Sequence, residues 1–367
     1  MKNKPFIPKE LPVKIDYSGL IKYIADANRA LGRLDGLLMH LPNPRLLGKT
    51  LLMKEAVLSS RIEGTRATIN DIFEFEAKTD GYRKEAKTLD INEILNYYEA
   101  LHFGVESLET RPLSENLIKK LHHILLNSGQ GRNNAPGEFR KIQVWIGGYD
   151  SSLETASYIP PPPNEIIPLF SNLEKYINSD SEKSELVQIA MAHYQFEAIH
   201  PFLDGNGRVG RLLISLFLYQ RKLLSHPFLY LSEFFEKNRD DYYRLLKNVS
   251  EKQDWESWIK FFLKGLNVQA LNTEKVAREI LQLYDDYKEK IAEIRSMYAI
   301  KLLEIIFIYP VFSFSLIKKK IGIKSDQTIF DLIKKFVKTG LIEDVSKGAK
   351  RNKIYKFTKL YEILKEK

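Results

Sequence analysis

The sequence predicts a mainly α-helical fold of two or three domains, and three observations carry that prediction. Apolar residues recur at helical spacing through most of the first 300 positions. One stretch among them alternates as strands do. From about residue 299 the segments shorten and a basic excess appears.

Length and composition set the outer bounds. A chain of 367 residues is too long for one small core. Its 44% hydrophobic and 28% charged residues are those of a globular protein. It has no cysteine, which excludes a disulfide scaffold, a Cys-ligated zinc site and a thiol nucleophile. No apolar run is long enough to span a bilayer, and the first five residues do not lead into a signal-type core, so a cytoplasmic protein is expected.

The elements follow in order. Helical spacing predicts helices over 21–41, 51–62 and 89–108, and Pro112 with Ser114 opens another over 115–126. Gln143-Val144-Trp145-Ile146, then Gly147-Gly148, then Ser157-Tyr158-Ile159 predict a β-hairpin with a long tip. Pro160 to Pro163 ends it in an extended segment that cannot donate hydrogen bonds. Helices are then expected over 164–177 and 184–199, from the loop after 200 to about 222, and over 232–249 and 255–266. A long, largely polar helix over 273–294 reads as a connector. The tail predicts helices over 300–309, 313–321 and 325–339 and a β pair, 341–344 with 353–357, around a basic turn. Three helices and a basic hairpin are a winged helix-turn-helix pattern. These readings divide the chain into 1–110, 111–268, 269–298 and 299–367.

The formal charge is +9, and in 301–367 basic residues outnumber acidic ones by about two to one. Lys318-Lys319-Lys320, Lys334-Lys335 and the run 347–353 supply much of that excess. A polyanion such as DNA is the natural partner of such a surface, with solubilising lysines on a small helical module as the competing reading.

One run concentrates the chemistry: His200-Pro201-Phe202-Leu203-Asp204-Gly205-Asn206-Gly207-Arg208-Val209-Gly210-Arg211. It lies where a buried helix begins, and N–H groups at a helix start favour anions. The N–H groups of 205–208 and the Asn206 amide would form an anion pocket, with Gly205 and Gly207 letting the backbone curl. His200, on a helix-terminating bend, suits a proton acceptor. Asp204 at the loop apex could hold Mg²⁺ through one oxygen while a nucleotide supplies others. Arg208 and Arg211 are expected on one face, where two guanidinium forks suit a polyphosphate. Cations on a first turn oppose the helix dipole, and an anion resolves the conflict. Together these parts point to phosphoryl or nucleotidyl transfer.

This run matches the signature of Fic-domain proteins, HPFx[D/E]GNGRxxR, at every specified position, and the chain is identified by it as resembling that family. The resemblance implies a Fic-type helical bundle in which the 144–159 hairpin is the flap that positions a target. It implies transfer of AMP from ATP to a Ser, Thr or Tyr hydroxyl of a protein, itself included. By matching position, His200 would deprotonate the hydroxyl and Asp204 would bind Mg²⁺. Asn206 and the glycine amides of Gly205 and Gly207 would hold the α-phosphate, and Arg208 and Arg211 the outer phosphates. Tyr242 and Tyr243 resemble tyrosines that contact adenine in relatives.

Glu63 stands in the last turn of the second predicted helix, before Gly64, where a carboxylate is repelled by the dipole and needs a distant cation. Ser59-x-x-x-Glu63-Gly64 matches the family's inhibitory pattern [S/T]xxxE[G/N], which implies that Glu63 pairs with Arg211 and withdraws it from the γ-phosphate. Relatives can also remove AMP at the same site, and often pair as homodimers. A different reading makes the protein a DNA-binding transcriptional regulator with the site as nucleotide sensor. A metal-dependent hydrolase lacks a second ligand cluster: His40, His102, His122, His123, His193 and His226 are expected to be packed or exposed, and not to ligate.

Overall fold

The computed structural model describes residues 4–41, 43–77, 85–128, 134–148, 151–346 and 353–365. The core runs without interruption from the first helix to the last. No helix among the described residues is long and apolar enough to cross a membrane.

Helix α1 (Ile21–Met39) buries Ala27, Ala30, Leu31, Leu34 and Leu38, one stripe at helical spacing. Helix α2 (Arg45–Ile62) starts after Pro44, earlier than expected. It is buried almost all round and carries polar residues inside, Thr50, Glu55, Ser59 and Ser60 among them. A helix buried on every side has lost the periodicity that marks a start. Helix α3 (Ile69–Ala77) was not expected, although its signal was present: Thr68 N–H and hydroxyl both donate to Asp71, whose own N–H returns to Thr68 Oγ1. Helices α4 (Glu85–Leu108) and α5 (Glu115–Leu125, capped by Ser114) follow as predicted.

Helices α6 (Ile166–Ile177), α7 (Glu185–Ile199) and α8 (Asn206–Gln220) form the central layer. The helix expected over 232–249 breaks at Asn238 into α9 (Ser232–Lys237) and α10 (Arg239–Lys252). Asn238 Nδ2 donates to the Phe234 carbonyl and leaves the helical region. The two segments expected over 255–266 and 273–294 are one helix, α11 (Trp255–Ile291). It is no polar connector, since Ala270, Ala277, Ile280, Leu283 and Tyr287 line a continuous buried stripe, and α11 lies along α1. Its buried Glu274 pairs with Arg33 and Arg278.

The predicted hairpin is reduced, among the described residues, to one bridge between Ile146 and Tyr158. An isolated two-stranded pair has little to bury, and the prolines that follow cannot extend the ladder. The C-terminal unit comprises α12 (Ala299–Ile308), β1 (Val311–Ser313), α13 (Phe314–Ile321), α14 (Asp326–Lys338), β2 (Glu343–Asp344), β3 (Ile354–Lys356) and α15 (Thr358–Leu364). Its sheet is antiparallel in the order β1-β3-β2, with Phe312 opposite Tyr355. Strand β1 and α15 were not expected. The basic run at 347–352 lies outside the described residues. The unit packs on the N-terminal helices: Lys49 of α2 pairs with Glu76 of α3 at 2.5 Å and lies 3.8 Å over the Tyr309 ring at the end of α12.

Candidate active site

Helix α7 ends at His200, which turns the chain in the left-handed region (φ 49°), and Gly205 (φ 74°) repeats that turn before α8 begins. The loop between them is pinned from three sides. The Asn206 carboxamide closes it, accepting from Phe202 N–H at 2.9 Å and donating to the Phe202 carbonyl at 2.8 Å. Both polar atoms of Asn206 are thereby engaged inside the protein, and the carboxamide shapes the loop backbone. The His122 ring stacks on Phe202 at 3.8 Å. His122 Nδ1 accepts from Gly137 N–H, so Nε2 carries the proton and donates to the Asp204 carbonyl at 3.0 Å. Burial lowers the pKa of His122 to about 4, and it stays neutral. Arg140, buried under the loop, donates to the carbonyls of His200 (2.9 Å), Ile142 (3.2 Å) and Pro161 (2.5 Å). Arg140 was not legible in the sequence: nothing in Phe139-Arg140-Lys141 distinguishes a buried clamp from a surface arginine.

His200 is itself neutral. Burial first, and then the nearby Arg140 charge, lower its pKa to about 4, against opposing effects from the Glu197 carbonyl, Glu63 and Asp204. Asp204 accepts from Gly205 N–H at 2.6 Å and from Asn134 at 3.3 Å, and its side chain is 39% exposed. No group of three or more potential metal-ligating side chains exists among the described residues. A single, partly exposed carboxylate of this kind fits Mg²⁺ that arrives on phosphates, which takes one or two carboxylates and keeps oxygen ligands from its substrate.

The two arginines do not share a task. Arg208 turns to Glu93 of α4 (3.3 Å) and Asp204 (3.7 Å). Arg211, 1% exposed, turns to α2: Nε donates to Ser59 Oγ at 2.9 Å, and Nη2 donates to the Ser59 carbonyl at 3.0 Å and to Glu63 Oε1 at 2.6 Å. The two arginines, three apart on α8, each have their own acid on a different element. Ser59 in the last turn of α2 and Glu63 at its C-cap, four residues on, grip one guanidinium together. Burial pushes the Glu63 carboxyl up, but Arg211, then Arg208 and His200, outweigh it and hold it below the usual carboxylate range. Glu63 also rests on the first turn of α8: a Cβ on Gly207 would collide with Glu63 Oε1 and approach Arg211 Nη1. An acidic side chain therefore lies where the helix start would otherwise meet an anion.

Beside this end opens a cleft of about 480 Å³ between the 146–158 hairpin and α10, floored by Tyr194, Glu197 and Ala198 of α7. Tyr243, 42% exposed, lines it. Tyr242 does not: it is 1% exposed, bonded to His193 Nε2 at 2.8 Å and stacked on Phe235. Its assignment to the nucleotide is therefore corrected to core packing. Adjacent helical residues point about 100° apart, so one of the pair had to turn away. Glu197, which lines the cleft, was not legible as a site residue in the sequence.

Comparison with known proteins agrees with this geometry. The family model described as "Fic/DOC family N-terminal" matches residues 21–106, and that described as "Fic/DOC family" matches residues 112–218. "Protein adenylyltransferase Fic" of Drosophila melanogaster is 29% identical over 249 residues, covering 64% of this chain and 46% of its own length. The protein of the same name from Drosophila ananassae is 32% identical over 197 residues, covering 52% of this chain and 35% of its own. The chain thus spans less than half the length of these curated relatives. A solved Fic family protein from Desulfovibrio desulfuricans superposes with a TM-score of 0.58 at 20% identity, covering 97% of this chain and 98% of that one. Fic-1 (residues 134–508) from C. elegans superposes at 0.54 with 19% identity, covering 70% of this chain and 73% of that one. The signature at 200–211, the mainly helical fold and these likenesses agree: the chain is a Fic-domain protein.

Proposed function

We propose that the protein transfers AMP from ATP to a Ser, Thr or Tyr hydroxyl of a protein, and that Glu63 restrains the transfer. The observation that carries this reading is the Glu63 carboxylate lying 2.6 Å from Arg211 on the first turn of α8, in the place of an anion. ATP is the donor by likeness to relatives named adenylyltransferases. The target hydroxyl oxygen attacks the α-phosphorus and its proton passes to a ring nitrogen of neutral His200. The bond from the α-phosphorus to the bridging oxygen breaks, and pyrophosphate leaves. Backbone N–H groups at the start of α8 cradle the phosphates, and Arg208 and Arg211 neutralise the outer ones. Mg²⁺ held by Asp204 would supply charge neutralisation on the phosphates. Arg211 serves only once Glu63 releases it, which makes the ion pair a brake. The same site, with water as acceptor, accommodates removal of AMP.

The experiment is mass spectrometry of the Glu63→Gly chain after incubation with each nucleoside triphosphate and Mg²⁺. An added AMP mass with ATP, absent in the Glu63→Gly, His200→Ala chain, is the expected result. No added mass with any triphosphate or candidate target would contradict the reading.

The element order of the C-terminal unit supports a second reading, that of a winged helix-turn-helix module on the same chain, with DNA as partner. The start of α14, the turn such a module would offer to the major groove, carries Asp326, already paired with Lys318, and Asp331. Acids there oppose a phosphate backbone, so adenylyl transfer is the leading reading. Salt-dependent duplex binding by the full chain would revive the DNA reading.

A further inference from the structure

Most polar side chains that line the cleft have partners within the protein, and among the described lining residues the one buried polar atom without a hydrogen bond belongs to Glu197. The Tyr158 hydroxyl donates to the Ala198 carbonyl at 2.8 Å, and the Tyr194 hydroxyl and Ser250 Oγ bond each other at 2.9 Å. Arg244 is paired with Asp241 and Lys247 with Glu251, while Arg239 lies over the Tyr243 ring. Glu197 Oε1 is buried without a hydrogen-bond partner. Glu197 is also the only acid among the described residues that line the cleft, against three bases. It is seated against α8 so closely that a Cβ on Gly210 would collide with Oε1. A buried acceptor left without a donor loses its hydration and gains nothing in return. Glu197 thus lines the cleft on one side and touches α8, the helix that carries the signature, on the other.

We infer that Glu197 accepts a hydrogen bond from a donor on the nucleoside, a ribose hydroxyl or an exocyclic amine, and so selects which nucleotide the cleft admits. The inference rests on the reading that the cleft receives the nucleoside of ATP. Burial pushes the Glu197 carboxyl up to about 7, with Arg211 opposing and Glu63 reinforcing.

Calorimetric titration of the full-length Glu63→Gly chain in Mg²⁺ tests it, with ATP, 2′-deoxy-ATP, 3′-deoxy-ATP and purine riboside triphosphate, which lacks the exocyclic amine. One of the three analogues is expected to bind at least about tenfold more weakly than ATP. Which one it is distinguishes ribose from base. In the added Glu197→Leu variant, ATP and that analogue are expected to bind equally. Equal binding of all four in the Glu63→Gly chain, or discrimination unchanged by Glu197→Leu, would overturn the inference. Nucleotide-free melting provides a second readout. Glu197→Leu and the more flexible Glu197→Met are expected to hold or raise Tm, because an unsatisfied acceptor is removed; a lower Tm in both would overturn the inference by showing that protein groups already satisfy the carboxyl. Failure of the Glu63→Gly chain to bind ATP would remove the nucleotide reading itself, and this inference with it.

Discussion

The His200 loop and the Glu63 latch meet at the same helix start and are held in opposite ways. The loop is locked by groups whose polar atoms are mutually satisfied: Asn206 on Phe202, His122 between Gly137 and Asp204, and Arg140 on the carbonyls of His200, Ile142, Pro161 and Ile199. The latch joins two hydrogen bonds from Arg211 to Ser59 with an ion pair whose acid is 38% exposed and stands at a helix end that repels it. Buried and fully satisfied networks rigidify, whereas a half-exposed charge pair can be exchanged for a stronger anion. On the proposed reading, the comparison teaches that the proton acceptor and phosphate cradle are preformed and that control is placed in the contact that can be replaced.

The largest effect expected from breaking the loop is chemical. In the Glu63→Gly chain, His200→Ala should lower AMP transfer by about 10²- to 10⁴-fold without changing Tm, measured with labelled ATP and by melting. Transfer within a few-fold of the parent would remove His200 as proton acceptor. Next comes the clamp. Arg140→Ala should cost about 3 kcal/mol of stability, since several buried carbonyls lose their donor, and transfer should fall with it. Denaturant unfolding checks this, and a cost below about 1 kcal/mol would mean that the loop holds without Arg140.

Acid should act on the whole bundle more gently. His122, His193 and His200 titrate at about 4, 3 and 4 in the folded state against 6.5 ordinarily, in each case through burial first. The unfolded chain binds their protons first, so the stability they contribute is full above 6.5 and is lost as pH falls from 6.5 towards 4. Glu55 and Glu197, raised by burial to about 7 from 4.5, act in the opposite sense between those values. Three histidines outweigh two acids, so Tm should drop modestly between pH 6.5 and 4.5. A rise over that interval would contradict the assignment of neutral buried histidines. The smallest effects separate the two tyrosines. Tyr243→Ala should weaken ATP binding a few-fold, while Tyr242→Phe should cost about 1 kcal/mol of stability through its lost bond to His193 and leave ATP affinity unchanged. Equal effects on affinity would restore Tyr242 to the cleft.

Much of the site was legible because its chemistry is local. His200, Asp204, the two glycines and the two arginines lie within twelve positions, and residue type and spacing carry their meaning. Glu63 announced itself by a local conflict with the helix dipole. Arg140, His122 and Glu197 did not, because their roles depend on partners brought together only by the fold. The fold shows the same division. Helices with one apolar stripe, such as α1 and α6, read directly, whereas α2 lost its start to burial on all sides. Helix α11 was split because its charged face masked a continuous stripe, and the hairpin was overread because alternation alone does not supply a partner strand.

The central claim is that Glu63 holds Arg211 away from the incoming triphosphate. The initial rate of label transfer from ATP by the wild-type chain and by Glu63→Gly, at equal protein and Mg²⁺ concentrations, tests it most directly. A rate higher by about ten- to a hundredfold in the variant is predicted, corresponding to a coupling of about 1–3 kcal/mol between the acid and the nucleotide. Equal rates, with ATP bound equally well by both chains, would contradict it.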